Sequence, residues 1–189
     1  MLVKDASGWH AHAKVEKWDG DQVDWVRVRT GVLEPSAVLL REYARPDVVE
    51  ADGNLLTTAG LTRLTSLLIA GGGQGVTATA TRLGVGDGAG TAVIGDTDLS
   101  ASSGSTHRWF QVMNATYPSV SGGVLTAQAT WGGSDGNFQW AEWGIDISAT
   151  TATAGATVNA CLLNHKTSAA LGTKTSGGSW TLTAVVTIT

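Results

Sequence analysis

Ser179-Trp-Thr-Leu-Thr-Ala-Val-Val-Thr-Ile-Thr189 is the stretch on which the fold turns. Trp180, Leu182, Ala184, Val186 and Ile188 fall on one side of an extended chain, and Thr181, Thr183, Thr187 and Thr189 fall on the other. Side chains alternate across a strand with period two, so the pattern predicts a half-buried strand with threonine on its wet side. This segment belongs in a sheet that has one covered face.

Working outward, further strands are expected at residues 82–86, 107–113, 123–131, 138–147 and 157–165, separated by Gly-, Ser- and Asp-rich turns. Short strands at this spacing read as a mainly β fold, an antiparallel β-sandwich or open barrel. Asp87 to Ser105 holds too much Gly, Asp and Ser for regular structure and reads as a long surface loop, a common place for partner contacts. Upstream, Asn54 is the expected N-cap of one helix over Leu55–Ile69, stopped by Gly71-Gly-Gly73. Leu56, Leu61, Leu64 and Leu68, with Leu67 beside them, recur at helical spacing and predict a helix packed on a sheet through its leucine stripe.

Charge divides the chain. Of its 28 charged side chains, 18 fall in residues 1–63. The division predicts a charged attachment region over residues 1–53, bearing Trp9, Trp18 and Trp25, and a β-sandwich module over 54–189, joined near Pro46 and Ala51-Asp-Gly-Asn54 without a long linker. In the first region Ala11, Ala13 and Val15 alternate with His10, His12, Lys14 and Glu16. After Asp19-Gly20, Val26 and Val28 alternate with Arg27 and Arg29. That spacing predicts an N-terminal β-hairpin turned at Asp19-Gly20. Pro35 to Tyr43 fits a short helix and an extended strip equally.

Composition excludes several classes of function. The chain of 189 residues is long enough for a sizeable core, and its net charge of −4 without clustered Lys and Arg argues against a nucleic-acid partner. No run of about 20 apolar residues and no basic-then-apolar leader is present, so neither a membrane span nor secretion is expected. The single Cys161 rules out an intramolecular disulfide, and Val158, Leu162 and Leu163 around it mark a buried small hydrophobe.

The candidate chemical sites are thin. His10 and His12 share a strand face about 6–7 Å apart, half of a metal site that no further cluster completes. Gly84-Val-Gly-Asp-Gly-Ala-Gly90 lacks the Gly-Lys-Ser/Thr ending of a phosphate loop and opens no helix. Asp87, Asp96 and Asp98 are the residues a Ca²⁺ ion would use, and Asp135, Glu142 and Asp146 are the other carboxylates from which an acid/base pair would be drawn. No catalytic set, metal or cofactor is predicted.

Eight Trp against two Phe and two Tyr is a bias toward residues that close a packed seam at a wet rim. Trp9, Trp18 and Trp25 serve either a small core of their own or a neighbouring protein. Glu142 alternates with Trp140, opposite Trp143, Ile145 and Ile147, and is expected at a subunit contact with Lys166 or Lys174 as partner. The expected partner interface is therefore Trp9, Trp18, Trp25, Trp140, Glu142, Lys166 and Lys174. Stacking of exposed Trp on sugar rings is the competing use, against which Trp140, Trp143 and Trp180 sit on alternating strands whose other faces read as buried.

Over residues 55–189 the chain resembles a family of small phage virion proteins. The matching segments are Leu61 to Ile69, Gly84-Val-Gly-Asp-Gly88, Thr97-Asp-Leu99, Asn137 to Gly144, Leu162-Leu-Asn-His-Lys166, Leu171-Gly-Thr-Lys174 and Ser179-Trp-Thr-Leu-Thr183. His165 stands where that family often has Arg, which implies a weaker or pH-sensitive contact. A looser likeness to the N-terminal region of phage tail-collar fibre proteins rests on the Gly-Asp-Gly turn and the Glu142-Trp-Gly-Ile-Asp146 strand.

The resemblance implies a non-enzymatic virion subunit, made in the host cytoplasm. A capsid decoration protein that binds the assembled shell is expected first, and a minor tail or tail-fibre protein touching the host surface, with glycan as one target, is the alternative. The implied partners are the major capsid protein or tail proteins of the same phage and further copies of this chain, a trimer being the expected form.

Overall fold

The computed structural model describes residues 8–148, 150–156 and 159–189. Its elements run β1 (Trp9–Trp18), α1 (Gly20–Thr30), α2 (Ala37–Tyr43), β2 (Asp47–Asp52), β3 (Leu55–Leu56), α3 (Thr58–Leu68), β4 (Thr81–Gly86), β5 (Arg108–Val112), β6 (Ser119–Ser121), β7 (Val124–Trp131), β8 (Gln139–Trp140), β9 (Glu142–Ile147), β10 (Asn164–His165), β11 (Gly172–Thr173) and β12 (Ser179–Ile188). The fold is mainly β and antiparallel, without a closed barrel. A five-stranded sheet has the order β2-β1-β12-β7-β6, and a three-stranded sheet the order β5-β4-β9. Two small pairs, β10 with β3 and β11 with β8, close the flanks.

The period-two reading of residues 179–189 holds along most of its length. Trp180, Leu182, Ala184 and Val186 are buried, while Ile188 is exposed at the strand end. On the other face Thr181 bonds Thr130 at 2.9 Å and Thr183 accepts from Gln128 at 3.0 Å, so part of that threonine row forms a side-chain ladder with β7. The inner face of the large sheet has a small-residue centre, Ala11, Ala13 and Val15 of β1, Ala127 and Ala129 of β7, and Ala184 of β12, beside the larger Leu182 and Val186 and the indoles of Trp131 and Trp180. The facing sheet supplies bulk through Leu83, Val85, Trp143 and Ile145. Small residues against large ones let the two layers interdigitate at crystal-like density.

The N-terminal hairpin is corrected. β1 runs on to Trp18, and the segment holding Val26 and Val28 is helix. Asp19 caps that helix by accepting from the Gln22 backbone N–H, while the Gln22 side chain accepts from the Asp19 N–H, a reciprocal box that sets a helix start. Pro35–Tyr43 resolves as a helix with Ser36 as its cap. β1 pairs antiparallel with β2, but across α1 and α2 instead of a two-residue turn. Cross-strand neighbours there are oppositely charged where Lys17 faces Asp47 and Lys14 faces Glu50, and His12 Nδ1 hydrogen-bonds Asp52 at 2.7 Å. Such pairs help fix the register.

The compositional boundary near residue 53 does not separate two sheets. β1 lies between β2 and β12 and pairs with β12 over ten residues, from Trp9↔Ile188 to Trp18↔Ser179. The α1–α2 pair packs at one end of this sheet, where Trp18, Val23, Val26, Ala37 and Leu40 form a second cluster. Trp18 Nε1 donates to Ala44 O at 3.0 Å, and Arg41 grips the buried Glu16 carboxylate.

The Leu-rich helix is shorter than expected and docks differently. Thr57, not Asn54, is its cap, and Leu55–Leu56 pairs with β10 as a strand. Leu61, Leu68 and Ile69 are exposed, and only Leu64 of the helix's leucines packs on the main core. Contact is made instead through Gly60, which is buried: a Cβ there would overlap the carbonyl of Leu163 and lie 2.7 Å from its Cα. Of the expected strand 157–165, only Asn164–His165 and the isolated bridge Asp146↔Leu162 form, and residues 157 and 158 lie outside the described set.

Two outcomes follow. Gly60→Ala is expected to lower the unfolding free energy by about 1–3 kcal/mol, read by urea titration, because the clash is with backbone that cannot step aside. Deleting residues 8–53 removes an interior strand, so circular dichroism should show loss of the cooperative fold.

Candidate functional site

Segments distant in sequence converge on one carboxylate. Glu142 opens β9, whose six residues are all buried, and its own exposure is 0%. Its Oε2 accepts from Ser100 N at 2.8 Å and bonds His165 Nε2 at 2.8 Å, and its Oε1 accepts from Ala101 N at 2.7 Å. His165, also fully buried, uses Nδ1 on Asp96 at 2.6 Å. Burial alone would push the Glu142 carboxyl up, but the His165 bond and the two backbone N–H groups outweigh it and leave it below the usual range. Burial likewise opposes the charged form of His165, and the Glu142 and Asp96 bonds overcome that opposition, so its value is raised. Both directions favour the charged pair, a carboxylate against an imidazolium.

Glycines make the room. A Cβ on Gly88 would stand 2.6 Å from Glu142 Oε1 and 2.5 Å from Ala101 N, and one on Gly86 would strike the same carboxylate oxygen. Gly84 and Gly144 are cross-strand partners, and a Cβ on either would run into Phe110 or into Asn164 and Leu162. The Gly84–Gly88 segment is thus a cradle for a side chain and strand packing, not for phosphate.

The loop from Asp87 to Ser105 is correspondingly less free than expected. Leu99 and Ala101 are buried within it. Asp87 bonds His107 at 2.7 Å, Asp98 bonds Arg108 at 2.7 Å, Thr97 O accepts from Asn159, and Ile94 O accepts from Thr58 N at 2.8 Å. The three carboxylates considered for Ca²⁺ are therefore spent on His107, His165 and Arg108, and among the described residues no group of three ligating side chains converges on a metal position. Asp146, on the same strand as Glu142, is buried against Arg82 and accepts from the Ala160 and Cys161 N–H groups at 2.8 Å. Cys161 is buried, as expected, and burial raises its thiol.

The predicted interface set is largely internal. Trp18, Trp140 and Glu142 have no exposed surface, and Lys174 has 1%. Glu142 is partnered by His165 and backbone, with neither Lys166 nor Lys174 in contact. Lys166 lies on an isolated bridge to Trp143, and Lys174 donates to Gly132 O at 2.6 Å and Asn137 Oδ1 at 2.8 Å, its ammonium pushed down to about 8 by burial. Trp9 is half-buried and donates to Asn54 Oδ1 at 2.6 Å. Only Trp25 of the seven is exposed, at 51%.

Trp140 packs edge-on between Trp131 and Trp180, at 4.8 and 4.9 Å between ring centroids, with Lys17 over the Trp180 ring. These indoles, and the equally buried Trp143, offer no open face for sugar stacking. Chemically the cluster clamps a loop; both His165 nitrogens are occupied, and His165 and Glu142 are fully buried while Asp96 keeps 20% of its side chain in solvent. No family model matches this chain, and no curated protein or solved structure matches it. Sequence reading did single out Glu142 and the oddity of His165. It considered Asp96 for Ca²⁺ instead of for His165, and it missed the amides of Ser100 and Ala101, because backbone donors leave no trace in residue type.

The clamp has a pH signature. The Glu142 contribution is present above 4.5 and lost as pH falls through its depressed folded value. The His165 contribution is present below 6.5 and lost as pH rises through its raised folded value. Both act fully between those limits. Lys174 works in the opposite sense above about 8, so the difference between wild type and Glu142→Ala isolates the clamp. That difference should be about 3–5 kcal/mol at its largest, since the variant leaves two N–H groups unpaired and the buried His165 with Asp96 alone of its two carboxylates, and should shrink on both sides of the window in urea titrations.

Proposed function

We propose that this chain is a non-enzymatic structural subunit of a bacteriophage particle, first as a decoration protein on the assembled capsid. The observation that carries the reading is where the virion-like segments go. Gly84–Gly88, Thr97–Leu99, Glu142–Gly144 and Leu162–Lys166 meet around Glu142 and serve the interior of the chain. Residue types that elsewhere perform chemistry are consumed in ion pairs and caps, while large apolar side chains such as Leu68, Ile69 and Val120 are turned outward. A rigid module with outward apolar surface suits attachment, and binding only to assembled shell adds its binding free energy to the cost of disassembly.

Quantitative mass spectrometry of purified particles tests this. Copies comparable in number to the shell subunits are expected. A few copies per particle would assign the chain to the tail apparatus instead, and absence from particles, or a turnover activity abolished by substituting a carboxylate, would overturn the structural reading altogether.

A further inference from the structure

Helix α1 carries apolar residues on two sides, and the fold covers one. Val23 and Val26 are buried against Trp18, Ala37 and Leu40. Trp25 and Val28, three residues apart on the other side, are 51% and 88% exposed, and Val32 and Leu33 continue the apolar surface just past the Gly31 cap at 40% and 82%. Tyr43 of α2 extends it, its ring 6.2 Å from that of Trp25. Single exposed apolar residues need no explanation, but a helix apolar on both sides is one built to be covered on both sides.

The charges beside this stripe identify what covers it. Asp21 and Asp24 lie toward the start of α1, and Arg29 toward its end, all exposed. Asp24 also bonds Arg27 of the same helix at 2.7 Å, yet its side chain remains 69% exposed. An acidic start and a basic end are complementary to the same helix running the other way, which is the requirement of an isologous contact. A parallel arrangement would set Asp against Asp and Arg against Arg. A different protein would have to supply the matching charge order itself; this chain already has it.

We propose that α1 pairs with α1 of a second copy of this chain, antiparallel about a two-fold axis that passes between Trp25 and Val28. In that register Trp25 packs on Val28 of the partner subunit, and Asp24 faces Arg29 of the partner subunit, each contact occurring twice. The two-fold pair takes the place of the trimer expected from sequence. It stands independently of the virion assignment, because it rests on α1 alone. One helix-on-helix seam falls at or below the small end of stable interfaces, about 1,200 Å² in total, so pairing is expected at micromolar and higher concentrations.

Sedimentation equilibrium of the full chain decides it. The mass should climb with concentration from the 19.4 kDa of one chain to twice that value. Trp25→Asp and Val28→Asp should each remain at the single-chain mass while keeping the wild-type circular dichroism spectrum. Asp24→Arg and Arg29→Asp should each be single chains alone, since both create like-charge contacts, and should form a one-to-one pair when mixed. Wild type that stays at 19.4 kDa up to about 1 mM overturns the inference, even if a shell protein then covers Trp25. A dimer that survives Trp25→Asp places the contact elsewhere and overturns it as well. Failure of the two charge variants to combine, with wild type dimeric, overturns the antiparallel register.

Discussion

A carboxylate with no exposure to water is the constraint around which the smaller sheet is organised. An isolated buried charge costs several kcal/mol, and Glu142 escapes that cost only because two backbone N–H groups and an imidazolium reach it together. Each of those donors imposes a further condition. The amides of Ser100 and Ala101 come from a loop that has to fold inward, and Gly86 and Gly88 have to lack side chains for it to do so. His165 in turn needs Asp96, which ties a second point of the same loop to β10. The segment whose composition suggests freedom is held by polar contacts to two fully buried side chains.

The larger sheet obeys a different rule, one of size. Its inward alanines allow close approach of the facing layer, and the space so defined is filled by Trp143, Ile145, Leu83 and Val85. Three indoles meet at one end, where Trp140 lies edge-on to both Trp131 and Trp180. Most of the Trp residues therefore serve to fill the interior, with Trp25 as the outward exception. α3 follows the same rule in miniature: it approaches Leu163 where its side chain is absent, at Gly60, and leaves Leu61 and Leu68 in solvent.

Strands with clean alternation were legible in the residues, and β4, β5, β7 and β12 fall where the pattern puts them. The error at α1 has a physical origin. Val26 and Val28 alternate with Arg27 and Arg29, but Val23 and Val26 are also one helical turn apart, and a helix with apolar residues on both sides satisfies either period. The decisive signal was Asp19 with Gln22 three residues on, a capping pair that reads as a turn when attention rests on Asp19-Gly20. Glu142 was recognised as anomalous, yet its burial was not, because the groups that neutralise it lie 41, 42 and 23 residues away and two of them are main chain. Short strands such as β3, β6 and β11 carry too few residues for any periodicity to show.

The pairing of β1 with β12 joins residues as distant as Trp9 and Ile188. Closing so long a loop must be done at an entropic loss before the contacts it permits can repay it, which makes assembly of this sheet slow. Until then the alanine-rich ribbons of β7 and β12 present open edges to other nascent molecules. Crowded synthesis therefore favours intermolecular strand exchange over correct closure, and yield of the native form is governed by kinetics as much as by final stability.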